Sequence, residues 1–304
     1  MKNTISDSSD RVNVWDVMVK RSDLKKPSLE VNFLPPDETH AGLVLPEGWN
    51  KEVFATLDNT KLTETYDFLR SQSENFMSPE DQKLALENLG KTLEVNISIS
   101  DVEMSRMSGL FARMRDRSEL EKYISAYKNG VEWQKAPMIM ALPNAIMVDG
   151  VEKPFSIATM RALLPEKIWD TKKVWYNTDY ITEKQRTDTF SDDLRVTTSA
   201  NLADTKNTPY IKQLDKQKAW ADKNSLWNVS IDVRAFLEMI MLHLWNPQHE
   251  TLMLRDYMRL NAIGAVGDPL VMSSGVARLR LCTSDTVARS NGGIGASSTL
   301  LADS

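Results

Sequence analysis

Hydrophobic positions in the middle of the chain recur every three or four residues, which predicts amphipathic helices. In 101–128, apolar residues alternate with arginines, and this predicts one helix or a pair. Ser78-Pro79-Glu80-Asp81 predicts another helix start, because a hydroxyl cap, an early proline and early acidic residues all favour a helix N-terminus. The same spacing predicts further helices from about 50 to 69 and at 157–169, 210–223, 229–245 and 249–263.

Both ends of the chain lack this repeat. Residues 1–47 are polar and contain Pro35-Pro36, while residues from Gly264 onward are rich in Gly, Ser and Thr. We therefore predict a mainly α protein: a helical-bundle core at 48–263, an extended N-terminal arm at 1–47 and an extended or flexible C-terminal arm at 264–304 that packs no core. The alternating segment Leu29–Phe33 could form an edge strand or short hairpin in the N-terminal arm.

Composition excludes several classes of protein. A hydrophobic content of 41% is typical of a folded chain, and no apolar run reaches the roughly 20 residues of a membrane span. We predict no membrane association and no secretory leader. The single cysteine, Cys282, allows no intrachain disulfide, and three histidines leave little for a transition metal. We expect no metal and no cofactor.

The formal net charge of −5 is unevenly distributed. Residues 1–100 carry 11 basic and 17 acidic side chains, whereas the rest of the chain is close to balanced. A nucleic-acid contact would therefore have to be local, through basic residues of the middle or the tail.

Sequence motifs of catalysis are missing. There is no nucleotide-binding glycine loop, no nucleophile elbow and no zinc-protease motif. Cys282 has no nearby histidine, and the adjacent pair Asp192-Asp193 would point apart. We predict that the protein is not an enzyme.

A colinear series of short motifs resembles the coat proteins of flexuous filamentous plant viruses, of the potyvirus and bymovirus type. It covers about 129–290, and residues 1–128 show no match. Its members are Asn129-Gly130, Met147-Val148-Asp149-Gly150, Lys153-Pro154, Thr159 to Leu164, Phe190-Ser191-Asp192, Pro209-Tyr210, Ser225-Leu226, Ile231-Asp232-Val233, Asn246-Pro247-Gln248 and Thr283 to Thr286.

The resemblance implies a helical subunit that polymerises around single-stranded RNA in the virion and in the host cytoplasm. It implies an RNA groove containing an arginine and an aspartate, which by motif are Arg161 and Asp232. Neighbouring basic residues that could assist are Arg195, Lys206 and Arg234. The family's serine near the RNA has no counterpart here, because Glu132 follows Asn129-Gly130 at that place.

Extended arms suit a homopolymer, because a head-to-tail contact that does not close generates a filament. We predict that the N-terminal arm docks on a neighbouring subunit through its apolar residues. These are Val14, Trp15, Val17, Leu29, Val31 and Phe33.

Two other functions fit the same pattern. A nucleoprotein of a segmented or negative-strand RNA virus is also helical with exchanging arms, although a more basic core would favour it. A virus or phage structural protein that binds no nucleic acid would equally explain the net acidity.

Overall fold

The computed structural model is mostly helical in the part of the chain that it describes, with three small sheets. It describes residues 59–113, 117–130, 136–164, 181–187, 194–197, 201–202, 204–224, 233–245, 257–263, 268–275, 278–283, 294–296 and 299–301. The helices among them are α1 Asn59–Gln72, α2 Pro79–Leu93, α3 Asp101–Arg113, α4 Arg117–Gly130, α5 Ile157–Leu163, α6 Glu183–Thr187, α7 Tyr210–Lys223 and α8 Ala235–Trp245.

The described strands form two four-stranded sheets and one three-stranded sheet. They are β1 Asn75–Phe76, β2 Ile97–Ser98, β3 Met138–Met140, β4 Ala145–Val148, β5 Val151–Pro154, β6 Arg195–Thr197, β7 Tyr257–Ile263, β8 Pro269–Gly275, β9 Arg278–Thr283, β10 Ile294–Ala296 and β11 Thr299–Leu301. The strand orders are β1-β3-β6-β11, β10-β7-β8-β9 and β2-β4-β5. Only β1–β3 and β10–β7 are parallel among these pairings.

Local sequence explains the start of α2. The Ser78 hydroxyl accepts a hydrogen bond from the backbone N–H of Asp81, and the Asp81 carboxylate accepts one from the backbone N–H of Ser78. This reciprocal pair, with Pro79 in the first turn, satisfies donors that a helix start otherwise leaves exposed. The predicted helix start is confirmed.

Helix α8 lies at the centre of the molecule. Apart from half-buried His243, every residue of this helix is buried. Helix α8 contacts α2, β3 and β9, so it joins helices to sheets within one hydrophobic core. A helix whose residues are almost all apolar needs such enclosure, because most of its surface is unsuited to water, and its one acid, Glu238, is paired inside the core.

Three aromatic rings join α1, β1 and α3. The Tyr66 and Phe111 rings meet edge to face with centroids 5.2 Å apart, and the Phe76 and Phe111 rings do so at 5.7 Å. Edge-to-face contact is a favourable geometry for aromatic pairs. All three rings are buried, so the cluster fixes the N-terminal helices on the sheet that begins with β1.

Several predicted helices are confirmed, with different bounds. The helix at 210–223 matches α7, and the repeat in 101–128 forms the pair α3 and α4. Helix α5 ends at Leu163 and α8 begins at Ala235, so both are shorter than predicted. The Asp149-Gly150 turn is confirmed as the tip of the β4–β5 hairpin, where both residues have positive φ.

The prediction for the C-terminal part of the chain is wrong in two respects. Residues 257–263, predicted to end a helix, form strand β7, because they pair in register with β8. The prediction that residues from Gly264 onward pack no core also fails, since Leu270, Met272 and Leu281 are fully buried in the main cluster. A short apolar run suits a helix or a strand equally, and here the pairing partners decide.

The predicted N-terminal arm and the hairpin at Leu29–Phe33 lie outside the described residues. So do the predicted docking residues of that arm, Val14 to Phe33. Among the helices that are described, none is long and apolar enough to cross a membrane.

Candidate nucleic-acid interface

Arg161 lies on an exposed part of the surface. Its helix, α5, begins at the cap Ser156, whose hydroxyl accepts a hydrogen bond from the backbone N–H of Thr159 at 3.2 Å. Arg161 falls in the last turn of α5, where a cation is favoured by the negative end of the helix dipole. The side chain is therefore placed where it could meet a phosphate.

Two further basic residues lie on α6, which packs against α5. Lys184 is exposed, and half-buried Arg186 forms an ion pair with Glu183 in the same helix. Neither residue is among the RNA contacts predicted from the sequence. We call Arg161, Lys184 and Arg186 the α5–α6 patch; its acidic neighbour on α6 is Glu183, the partner of Arg186.

Arg195 does not belong to this surface. Its side chain is 2% exposed and its Nε donates a hydrogen bond to the Glu238 carboxylate of α8, which is likewise enclosed. Arg195 belongs to β6, and in the antiparallel register it lies opposite Met140 of the adjacent strand β3. An enclosed, ion-paired guanidinium cannot reach a phosphate, so the prediction that Arg195 contacts RNA is wrong for the subunit in this conformation.

Arg234 lies immediately before α8. Its backbone carbonyl accepts hydrogen bonds from the N–H groups of Leu237 and Glu238, at 2.8 and 3.1 Å, and its side chain is half-buried. Asp232 lies outside the described residues, so the pairing of Asp232 with Arg161 stays a prediction.

Lys206 lies in a turn that is fastened to α7. The Thr205 carbonyl accepts a hydrogen bond from the Gln213 amide at 2.8 Å, and Lys216 donates its Nζ hydrogen bond to the Asp204 carbonyl. Two residues of the turn, Asp204 and Asn207, have positive φ, which favours such short polar side chains. Half-buried Lys206 therefore lies in a turn that is held against α7.

Helix α7 presents a row of lysines to solvent. Lys212 and Lys223 are exposed and Lys216 is half-buried, and their spacing of four and seven residues places them on one side of a helix. The buried residues of α7, which include Gln213 and Gln217, occupy a different side. We call Lys206, Lys212, Lys216 and Lys223 the α7 row.

The signal for the α7 row was visible in the sequence. The helix at 210–223 was predicted correctly, and it contains four lysines against two aspartates in a chain whose net charge is −5. Lys206 is distinguished in the sequence by its position near a matched motif, whereas the lysines of α7 are distinguished only by the helix face that they share.

A packing contact holds α7 against α4. The Trp220 and Tyr123 rings meet edge to face at 6.0 Å, and a Cβ at Gly130 would come within 2.4 Å of the Trp220 indole nitrogen. Gly130 is thus required for the close approach of the two helices. The contact fixes the orientation of α7, and with it the direction in which the lysines point.

Half-buried Glu80 is electrostatically unusual, because both oxygens of its carboxylate are enclosed. Burial of Glu80, at the start of α2, raises its pKa above the ordinary value, although its own backbone amide, Ser78 and Arg70 act in the opposite direction. Burial likewise raises the pKa of Tyr66 well above its ordinary value, with further help from the Glu80 charge.

Glu80 gives a prediction for stability against pH. Because its folded-state pKa is raised, its stabilising contribution is complete below the unfolded-state pKa and is lost as pH rises through the folded-state pKa. We expect Glu80→Gln to be more stable than the wild type at pH 7 and to lose that advantage near pH 4. Urea unfolding midpoints at both pH values measure the difference, with Glu87→Gln on the same helix as control. An equal effect of the two variants, or a Glu80→Gln protein that is less stable at pH 7, would contradict it.

Among the described residues, no three His, Cys, Asp or Glu side chains are grouped so as to hold a metal ion. No protein-family model, no curated protein and no solved structure matches the chain.

Proposed function

We propose that the protein is a non-enzymatic viral coat protein that polymerises around single-stranded RNA, in the virion and in the host cytoplasm. The observation that carries this proposal is the α7 row: Lys212, Lys216 and Lys223 lie on one face of a fixed helix, and Lys206 lies in the turn before it, in a chain whose net charge is −5. Backbone phosphates are contacted by such basic side chains without reading of base sequence.

The α5–α6 patch supports the same function. It contains Arg161, the residue that the motif resemblance assigns to the RNA groove, together with two basic neighbours on α6. A subunit that repeats along a strand needs few phosphate contacts of its own, because the contacts add along the polymer. A small patch and a row of four lysines are therefore sufficient for a sequence-independent sheath.

Net acidity is compatible with this function. The acidic excess lies in residues 1–100, whereas the α7 row and the α5–α6 patch lie beyond residue 160. Because exposed charges separated by more than a Debye length, about 8–10 Å at physiological salt, are largely screened, a local basic surface can bind a phosphate despite acids elsewhere.

Binding of a fluorescent oligouridine RNA tests the α7 row. We expect Lys212→Gln/Lys223→Gln to bind roughly tenfold more weakly and to lower the slope of log affinity against log salt by about 1.4, that is, about 0.7 for each lost phosphate contact. Fluorescence anisotropy over a series of salt concentrations measures both quantities. Arg161→Gln/Lys184→Gln repeats the measurement for the α5–α6 patch.

A charge-matched control separates local contact from net charge. Lys61 of α1 and Lys91 of α2 are also exposed, and Lys61→Gln/Lys91→Gln removes the same charge. We expect this variant to keep wild-type affinity and salt slope. Equal losses in both double variants would mean a nonspecific charge effect, and a wild-type protein that binds no RNA would favour a structural protein without nucleic acid.

A further inference from the structure

The last described segments of the chain form a strap across two sheets. We define this strap as the two consecutive strands β10, Ile294–Ala296, and β11, Thr299–Leu301. β10 pairs in parallel with β7, and β11 pairs antiparallel with β6 in a different sheet, after only two intervening residues. One short piece of chain therefore adds an edge strand to both the β6 sheet and the β7 sheet.

The backbone pairing shows what β11 contributes to β6. The Ile139 carbonyl accepts a hydrogen bond from Met77 N–H, so the backbone groups of Ile139 face β1 and those of its neighbours face β6. In the antiparallel register, Arg195 and Thr197 then bond to β3, and the N–H and C=O of Val196 face β11. Because β6 is buried along its whole length, these Val196 groups need a strand partner.

We propose that the strap is exchanged between copies of this chain, so that β11 of one subunit completes the β6 sheet of the next. The occupant is argued from the structure, which seats this same segment on β6 in a defined register. Exchange would preserve every backbone bond of the strap, which is why swapping an identical element is a low-cost route to association.

The chain length before the strap permits this exchange. Ten residues, 284–293, separate β9 from β10, and such a length can span up to about 33–36 Å. In isolated subunits the strap's own chain holds it at an effective concentration near millimolar, so the closed form is favoured. Subunits assembled side by side bring a second strap to a comparable local concentration, and exchange then links them in an open series.

This inference rests on the self-assembly proposed above but not on RNA binding. It concerns backbone pairing at β6 and β7, which is separate from the α7 row and the α5–α6 patch. The two proposals can therefore fail independently.

Disulfide trapping between different copies tests the exchange. Thr197 and Thr299 are opposite in the β6–β11 register, and the pairing above makes them a non-hydrogen-bonded pair, in which side chains approach most closely. Cys282→Ser removes the single native thiol. In that background, a tagged Thr197→Cys chain is mixed with an untagged Thr299→Cys chain, assembled with and without RNA, and oxidised with glutathione disulfide.

A heterodimer joined between residues 197 and 299 can form only if the strap of one copy lies on β6 of another. We expect this band on a nonreducing gel to increase roughly tenfold on assembly, as the effective concentration of neighbouring straps rises. Adding Leu300→Pro to the Thr299→Cys chain removes the N–H opposite Val196 and should abolish the band. Circular dichroism confirms that each variant is folded.

The same chains provide the outcome that would overturn the exchange. A single chain carrying both Thr197→Cys and Thr299→Cys should close an intrachain disulfide when unassembled, which shows that the pair is competent to oxidise. If this chain closes internally, and assembled mixtures give no heterodimer, the strap is not exchanged. If heterodimers form but the assembled protein does not protect RNA from nuclease, the exchange is retained and the RNA coat is rejected. If the protein does not assemble at all, both proposals are rejected.

Discussion

Replacing Arg195 by methionine should lower the free energy of unfolding by about 3–5 kcal/mol, because it leaves the buried Glu238 carboxylate without its cation. Arg195 is 2% exposed and Glu238 is 0% exposed, so water cannot take the place of the lost partner. Urea denaturation followed by circular dichroism measures the loss. An exposed control, Arg161→Met, should change the free energy of unfolding by less than about 0.5 kcal/mol.

A double variant distinguishes the ion pair from the packing of the arginine side chain. Arg195→Met/Glu238→Leu removes both charges while keeping apolar volume, and we expect it to recover most of the stability lost in Arg195→Met. A double variant no more stable than Arg195→Met would show that the loss comes from packing. If Arg195→Met is as stable as Arg161→Met, the Arg195–Glu238 pair is not buried in solution.

Leu281→Ala should cost about 2–5 kcal/mol, the range for truncating a fully buried leucine. The side chain is 0% exposed and belongs to the same core cluster as α2 and α8. The measurement is again the free energy of unfolding in urea. The expectation differs sharply from that for a flexible arm, in which the substitution would be nearly neutral.

Ile211→Ala is the matched aliphatic control. Ile211 is 60% exposed on α7, so its truncation should change the free energy of unfolding by less than about 0.5 kcal/mol. If Leu281→Ala proves as neutral as Ile211→Ala, β9 is not part of the cooperative core.

Correct sequence predictions were those with a local physical cause. The start of α2 depends on Ser78, Pro79 and Asp81, which contact one another within a single turn. The turn at Asp149-Gly150 likewise needs only two residues that tolerate positive φ. Such features are readable because every contact that specifies them lies within a few residues along the chain.

Wrong predictions concerned residues whose partners are distant in sequence. In β7 the sequence Tyr257–Ile263 has apolar residues at spacings that suit helix or strand, and pairing with β8 and β10 decides between them. The Gly- and Ser-rich composition after 264 concealed buried residues such as Leu270, Met272 and Leu281, since composition averages over a stretch and burial is decided residue by residue.

The residues of the candidate site likewise fall into those that the sequence could identify and those that only the folded structure distinguishes. The α7 row is a property of helix spacing, so it could have been found from the sequence once the helix was predicted. Arg195 and Arg161 are both arginines near matched motifs, and nothing local separates them. Their difference arises because β6 lies against α8, where Glu238 is 43 residues away along the chain.

By itself, the sequence determined the helices of the middle of the chain, their caps and turns, and a charge distribution that restricts any RNA contact to local basic surfaces. Only the tertiary structure decided which arginine is enclosed, that 257–263 is a strand, and that part of the C-terminal region joins the core. The physical reason is the range of the interactions: capping and helical periodicity act over a few residues, whereas burial, ion pairing and strand pairing depend on segments that meet only when the whole chain has folded.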